Sequence, residues 1–127
     1  MVFSILDIDF FKKVNDTYGH DIGDRVLKQF VEIIQNSSRN DDLVIRWGGE
    51  EFLLLLKVKS IDNTTKILEN IRKSIDESYF KEVKHITCSI GATIYKENEK
   101  IEDSFKRADE ALYEAKNNGR NQVIIRL

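Results

Sequence analysis

The sequence predicts a mixed α/β fold in which strands and helices alternate around one β-hairpin. Three observations predict it. Short apolar runs bounded by acids or glycines read as buried strands, apolar residues recur at helical spacing in three longer stretches, and the pair Gly48-Gly49 sits between two apolar runs, a strong local hairpin signal. With 127 residues, 41% of them hydrophobic, one domain can bury about two-thirds of its unfolded surface and fold without staples.

The elements follow in order. Met1 to Asp9, "MVFSILDID", is a continuous apolar run that ends in acids, as a strand buried on both faces looks where it emerges at a site. "FFKKVNDTYGHDIGD" is polar and punctuated by glycines, and reads as a short helical turn followed by a loop. From Asp24, the positions Leu27, Phe30, Val31 and Ile34 mark an amphipathic helix that breaks down in "NSSRNDD". "DLVIRW" and "EEFLLLLKV" are the two arms of the hairpin. A second long helix lies between Asp62 and about Glu77, with Ile67, Leu68, Ile71 and Ile75 as its buried stripe. "HITCSIGATIY" reads as a strand. The last helix carries Phe105, Ala108, Leu112 and Ala115 on one face, stops at Gly119 as a left-handed cap requires, and hands over to "NQVIIRL". No repeat, low-complexity tract or proline marks a linker, so residues 1–127 read as a single domain.

Composition narrows the function classes. Twenty Lys and Arg stand against 22 Asp and Glu, a net charge of −2, so no global basic field is present to hold a long nucleic acid. A small anionic ligand stays open, because local charge can oppose the net sign. The single cysteine, Cys88, cannot close an intramolecular disulfide and reads as a small apolar strand residue. No apolar run approaches the roughly 20 residues of a membrane span, and no basic segment leads into an apolar signal region. A cytoplasmic setting fits this chain, with tethering to a membrane through other regions compatible with it.

The stretch "RWGGEEF" concentrates the chemistry. Glycines let a backbone approach a ligand with no side chain between them, and Glu50 and Glu51 follow directly. Adjacent strand residues point to opposite faces, so only one of the two faces a given site unless the turn twists the other inward. Clustered carboxylates make sense when a divalent cation neutralises them, and Asp7 and Asp9 at the exit of the first strand are the partners nearest in pattern. Equally, two acids can serve as gatekeepers for the aggregation-prone "FLLLL" edge. From the hairpin alone both readings stand.

"RWGGEEF", with "LDIDFFKKVNDTYGHDIGD" upstream and "FKRADEALYEAKNNGRN" downstream, resembles the GGDEF family of diguanylate cyclases in its GGEEF form. Three motifs agree in order and spacing from about Val2 to Leu127. The resemblance implies a nucleotidyl cyclase and polymerase palm-like fold: an α+β arrangement with a central, mostly antiparallel sheet, a β-hairpin and flanking helices. It also implies condensation of two GTP into cyclic di-GMP with two Mg²⁺ or Mn²⁺ ions per active site. Members carry a helix before the first strand and a regulatory domain before that; this sequence begins at the strand, so weak catalysis and a fused regulatory domain in a full-length protein are both implied expectations.

Carried over by position, the resemblance assigns Asp7, the backbone carbonyl of Ile8, Glu50 and Glu51 to the metals, with Glu50 also the catalytic proton acceptor. Hard oxygen ligands suit ions that neutralise a triphosphate and lower the pKa of an attacking 3′-hydroxyl. The backbone amides around Phe10 and Phe11, with Lys12, are implied to hold the β- and γ-phosphates, while the two phenylalanine side chains read as core. Asn15 and Asp24 correspond to the pair that reads guanine; from the residues alone, N-capping is the preferred role for Asp24. Lys116 and Arg120, one turn apart, are implied to meet the terminal phosphates, although cations at a helix C-terminus also suit its dipole. His20 reads as a hydrogen-bonder ordering its loop, His85 as ordinary surface. Arg39 and Asp42 form an RxxD pattern ending five residues before the glycine pair, which in the family marks an inhibitory site for the product; a charged loop gives the same pattern. The implied reaction needs a transient homodimer in which two GTP face each other.

Two alternatives come from other classes. One is a silent GGDEF-like module that binds GTP or cyclic di-GMP. The other is a metal-dependent phosphatase using "LDID" as a nucleophile motif, for which the downstream partners are missing.

Overall fold

The computed structural model describes residues 1–39, 42–57 and 60–127, so Asn40 and Asp41 of the RxxD segment and the end of the "LLLLKV" run lie outside them. Nine elements run β1 (Val2–Ile8), α1 (Phe11–Tyr18), α2 (His20–Ser37), β2 (Leu43–Arg46), β3 (Glu51–Leu56), α3 (Ile61–Glu77), β4 (Cys88–Ile94), α4 (Ile101–Asn117) and β5 (Val123–Ile125). The strands form one sheet in the order β2-β3-β1-β4-β5. Every pairing is antiparallel except β4 with β5, which is parallel. The α/β architecture, the mostly antiparallel sheet and the hairpin expected from the sequence are present.

The first strand lies at the centre of the sheet with all seven residues buried. Its alternation sorts the core into two layers. Val2, Leu6 and Ile8 pack with Phe52, Leu54, Leu56 and Ile90 against Val26, Phe30 and Ile34 of α2 and Leu68, Ile71 and Ile75 of α3. Phe3 and Ile5 pack with Leu53 against Ala108 and Leu112 of α4. The same parity places Asp7 on the α4 side. Helix α4 lies close to the sheet because β4 carries Gly91: a Cβ there would come within 2.1 Å of the Leu112 nitrogen and 2.4 Å of the Ala108 oxygen.

Ser60 caps α3 by accepting a hydrogen bond from the Asn63 nitrogen at 3.1 Å. Arg107 ties the loop after β4 to α4: its guanidinium meets Glu99 at 2.6 Å and Thr93 at 2.8 Å, and holds the Glu99 carboxyl down at about 2.

The structure corrects four expectations. The stretch after α1 is not a loop. Gly19, at φ 90°, is a one-residue joint, and α2 starts at His20. The second glycine, Gly23, continues that helix and makes room for the Asn15 side chain, whose oxygen lies 1.9 Å from where a Cβ would be. Asp24 is therefore a full turn inside α2 and caps nothing, since the N-cap position is Gly19. His20 is exposed at the helix start and its side chain makes no hydrogen bond among the described residues, so it orders no loop.

The fourth correction concerns Phe10. Phe11 is buried at 5% exposure, but Phe10 is 62% exposed and does not join the core. Phe10 takes φ 58°, a left-handed conformation that turns the chain sharply from β1 into α1 and directs its ring outward.

Candidate active site

At the exit of β1, Asp7 is buried while β1 continues to Ile8. Its Oδ2 pairs with the Lys116 ammonium, which reaches it from the last turn of α4. Its Oδ1 is buried and has no hydrogen-bond partner among the described residues. A buried carboxylate oxygen without a partner is costly and rare. Burial pushes the Asp7 carboxyl up from 3.8 to about 6; Lys116 opposes the rise, and the charges of Glu50 and Glu51 add to it.

The sign of that shift gives a prediction. The folded value lies above the unfolded one, so the ligand-free folded state holds an extra proton between 3.8 and about 6, and its stability falls as pH rises through that window. The loss is roughly 2–3 kcal/mol. Urea titrations at stepped pH are expected to show this slope in the native chain and a flatter one in Asp7→Asn; equal slopes would assign the pH dependence elsewhere.

Opposite Asp7 stands the hairpin. Trp47 and Gly48 donate backbone hydrogen bonds to the Glu51 carbonyl at 2.9 and 3.2 Å, and the Arg46 guanidinium donates to the carbonyls of Gly48 and Gly49 at 3.2 and 2.8 Å. Neither glycine is in the left-handed region, and a Cβ on either would meet nothing within 4 Å. The pair therefore leaves open space above the turn instead of satisfying a special backbone angle. Glu51 opens β3 in register with Asp7, whereas Glu50 sits in the bend one residue earlier with its carbonyl 3.4 Å from the Ile8 nitrogen.

Asp7, Ile8 and Glu50 line one cavity of about 570 Å³ together with Phe10, Phe11 and Lys12 and, from the far side, Lys116 and Arg120. Glu51 is not on its wall. Lys13 and Asp16, which the sequence reading passed over, also line it; their signal is the polar face of α1 next to the Phe10 bend. The first turn of α1 opens onto this cavity, and no side chain caps it, so its amides point at the space where an anion is favoured. Among the described residues, no three acid, histidine or cysteine side chains are grouped closely enough to hold a metal unaided.

The other expected residues lie apart. Asn15 is half-buried on α1 with its amide against Gly23. Asp24 is exposed and lines a neighbouring cavity of about 510 Å³ with Leu27 and Lys28 of α2 and Arg46 and Phe52 of the hairpin. Arg39 and Asp42 share a third, of about 340 Å³. There the Asp42 carboxylate accepts from the backbone nitrogens of Arg39 and Lys57 at 2.9 and 3.2 Å, which ties the segment after α2 to the end of β3.

Asp9, read from the pattern alone as a partner of Asp7, is engaged elsewhere. Its buried carboxylate accepts from Thr87, Ser89 and the Asn121 backbone at 2.6, 2.6 and 3.0 Å. His85 is exposed as expected and in addition bonds Asp76 at 2.6 Å, holding that carboxyl below its ordinary value. The Cys88 thiol is fully buried and pushed up, which leaves it inert.

In this α/β domain, carboxylates of two elements, an uncapped helix start and a rim of cations meet around one cavity. Residues 1–122 match the family model described as the diguanylate cyclase GGDEF domain, and the chain belongs to this GGDEF family. It is 44% identical over 120 residues to diguanylate cyclase DgcM of Escherichia coli K12, covering 94% of this chain and 29% of that protein. Among solved structures it is similar to the active GGEEF domain of a diguanylate cyclase from Vibrio cholerae, with TM-score 0.89, 36% identity, and 98% of this chain and 81% of that one covered. It is also similar to the GGDEF domain of DgcB from Caulobacter crescentus in complex with c-di-GMP, with TM-score 0.90, 32% identity and coverage of 98% and 76%. The chain spans only about a third of the length of the curated relatives it matches. Among the described residues no helix is long and apolar enough to cross a membrane.

Proposed function

We propose that this chain is the catalytic domain of a diguanylate cyclase, which condenses two GTP into cyclic di-GMP and two pyrophosphates. The observation that carries the reading is the buried, unpartnered Oδ1 of Asp7 on the wall it shares with Glu50, the start of α1, Lys116 and Arg120. The donor set fits two Mg²⁺ or Mn²⁺ ions: Asp7, Glu50 and the Ile8 carbonyl would supply hard oxygens to hold them, and Glu51 stands in register with Asp7. When bound, such ions neutralise the α-phosphate and acidify the attacking hydroxyl.

The chain's own groups do the rest. Amides at Phe10 and Phe11, with Lys12, bind the β- and γ-phosphates, and Lys116 leaves Asp7 to join Arg120 on the same oxygens. Asn15 and Asp24 read guanine, a carboxylate accepting from its imino and amino groups. Glu50 takes the proton of the 3′-hydroxyl as that oxygen bonds the α-phosphorus of the facing GTP and pyrophosphate leaves. Two copies of the domain, transiently paired, present the two nucleotides to each other, and further domains of a longer protein bring them together.

Incubation with GTP and Mg²⁺ followed by separation of the nucleotides tests the reading. Cyclic di-GMP is the expected product. GTP bound without turnover would make the domain a silent binding module, and free phosphate would make it a phosphatase.

Product feedback is proposed at Arg39 and Asp42, where the exposed Arg39 guanidinium is suited to stack on or fork to a guanine. Arg39→Ala is expected to raise the product concentration that halves the rate by at least about tenfold, with the initial rate unchanged; an unaltered inhibition curve would remove the site.

A further inference from the structure

The structure assigns Asp9 and Asn121 as positioning residues that hold Arg120 over the cavity, an inference that rests on reading that cavity as a GTP site. Three consecutive residues after α4, Gly119, Arg120 and Asn121, take φ 115°, 65° and 47°. Glycine adopts this region freely, but a run that continues through two side-chain-bearing residues persists only where its surroundings over-determine it.

Asn121 supplies that determination at three atoms. Its backbone nitrogen donates to Asp9 Oδ2 at 3.0 Å, its Oδ1 accepts from Arg72 at 2.9 Å and its Nδ2 donates to Asp76 at 3.3 Å. Asp9 is a firm anchor because Thr87 and Ser89 fix both of its oxygens. The Arg120 guanidinium is left between the buried Asp9 carboxylate, 4.0 Å away, and the exposed ring of Phe10, 4.6 Å from its centroid.

This arrangement accounts for two features otherwise unexplained: a buried acid beside the site that offers no free oxygen to a ligand, and an exposed phenylalanine at the mouth of the cavity. A free arginine spreads over many rotamers and loses that freedom when it binds phosphate. One already stacked on Phe10 and drawn to Asp9 loses less, so affinity is gained by preorganisation. At 4.0 Å the guanidinium lies beyond hydrogen-bond distance of Asp9, so its N–H groups stay available to phosphate oxygens.

The test uses the full chain with Asn121→Gly, Arg120→Ala, the double variant and Asp9→Asn. Glycine keeps the left-handed backbone and the N–H donated to Asp9 and removes only the two side-chain anchors to Arg72 and Asp76, so Asn121→Gly should fold, as a melting curve checks. Two quantities are read: the Arg120 Nε–Hε resonance in ligand-free protein, and the affinity for a non-hydrolysable GTP analogue with Mg²⁺.

In Asn121→Gly the Arg120 resonance is expected to move to the position of solvent-exposed arginines, and the affinity to fall about tenfold. In the Arg120→Ala background the same substitution is expected to cost no further affinity, because it acts through Arg120. Asp9→Asn, which keeps partners for Thr87 and Ser89 but loses the charge, is expected to shift the resonance less far. An unmoved resonance in Asn121→Gly, or an equal loss of affinity in both backgrounds, overturns the assignment, and an unmoved resonance in Asp9→Asn removes Asp9 from it. A native chain that binds no analogue sinks the GTP reading instead, while the resonance still decides whether Asn121 orders Arg120.

Discussion

Replacing Glu50 with glutamine is expected to lower the rate of cyclic di-GMP formation by about 10³-fold or more while leaving the fold intact. The side chain is half-buried in the bend between β2 and β3 and has no hydrogen-bond partner among the described residues, so its neutralisation costs little structure. Its proposed work is chemical: an anionic oxygen ligand and the acceptor of the 3′-hydroxyl proton, whereas the amide offers only a neutral, non-basic oxygen. Product formation per unit of folded protein, with melting temperature measured alongside, is the check. A Glu50→Gln protein that cyclises GTP at the native rate would take Glu50 out of the chemistry and the two-ion reading with it.

Gly91→Ala is expected to be the most destabilising single-methyl change in the domain. The added carbon would lie 2.1, 2.4 and 2.6 Å from backbone atoms of Leu112 and Ala108, none of which belongs to a flexible side chain. Helix α4 must lift off β4, and the cost is expected to reach about 3 kcal/mol or more, at the upper end for overpacking. The same displacement carries Lys116 away from Asp7, since both depend on where the last turn of α4 ends. Denaturant unfolding measures the first effect. The second follows if a fully folded Gly91→Ala sample, assayed in the cold, still turns over GTP poorly; native turnover there would uncouple the helix position from the site.

Some of these elements show in the sequence itself and others do not. The strand Val2–Ile8, the hairpin around Gly48-Gly49, and helices α3 and α4 were all legible, because each has a single period, one buried stripe or run, and a clear stop. The joint at Gly19 was not legible. A glycine that ends a helix and one that lies inside a helix look alike in a sequence, and only the packing of Asn15 onto Gly23 separates them. Phe10 and Phe11 are adjacent and identical in type, so composition gave no means of telling which ring is core; the left-handed turn at Phe10 decides it. Asp7 and Asp9 posed the same difficulty for acids. Their difference rests on residues some eighty and more than a hundred positions away, Ser89 and Lys116 among them, which no local pattern reveals. Lys13 and Asp16 escaped for a similar reason, since their place on the wall depends on how α1 leaves β1.

The central position of β1 has a consequence for motion. Asp7 belongs to the strand paired on both sides, whereas Glu50 hangs from a bend that joins the edge strand β2 to the sheet. Amide protons around Leu6 and Asp7 should therefore exchange with solvent only through global unfolding, while those of Gly48 to Glu50 exchange through small, frequent openings. One acid is as permanent as the domain, and the other can be swung by whatever grips the hairpin.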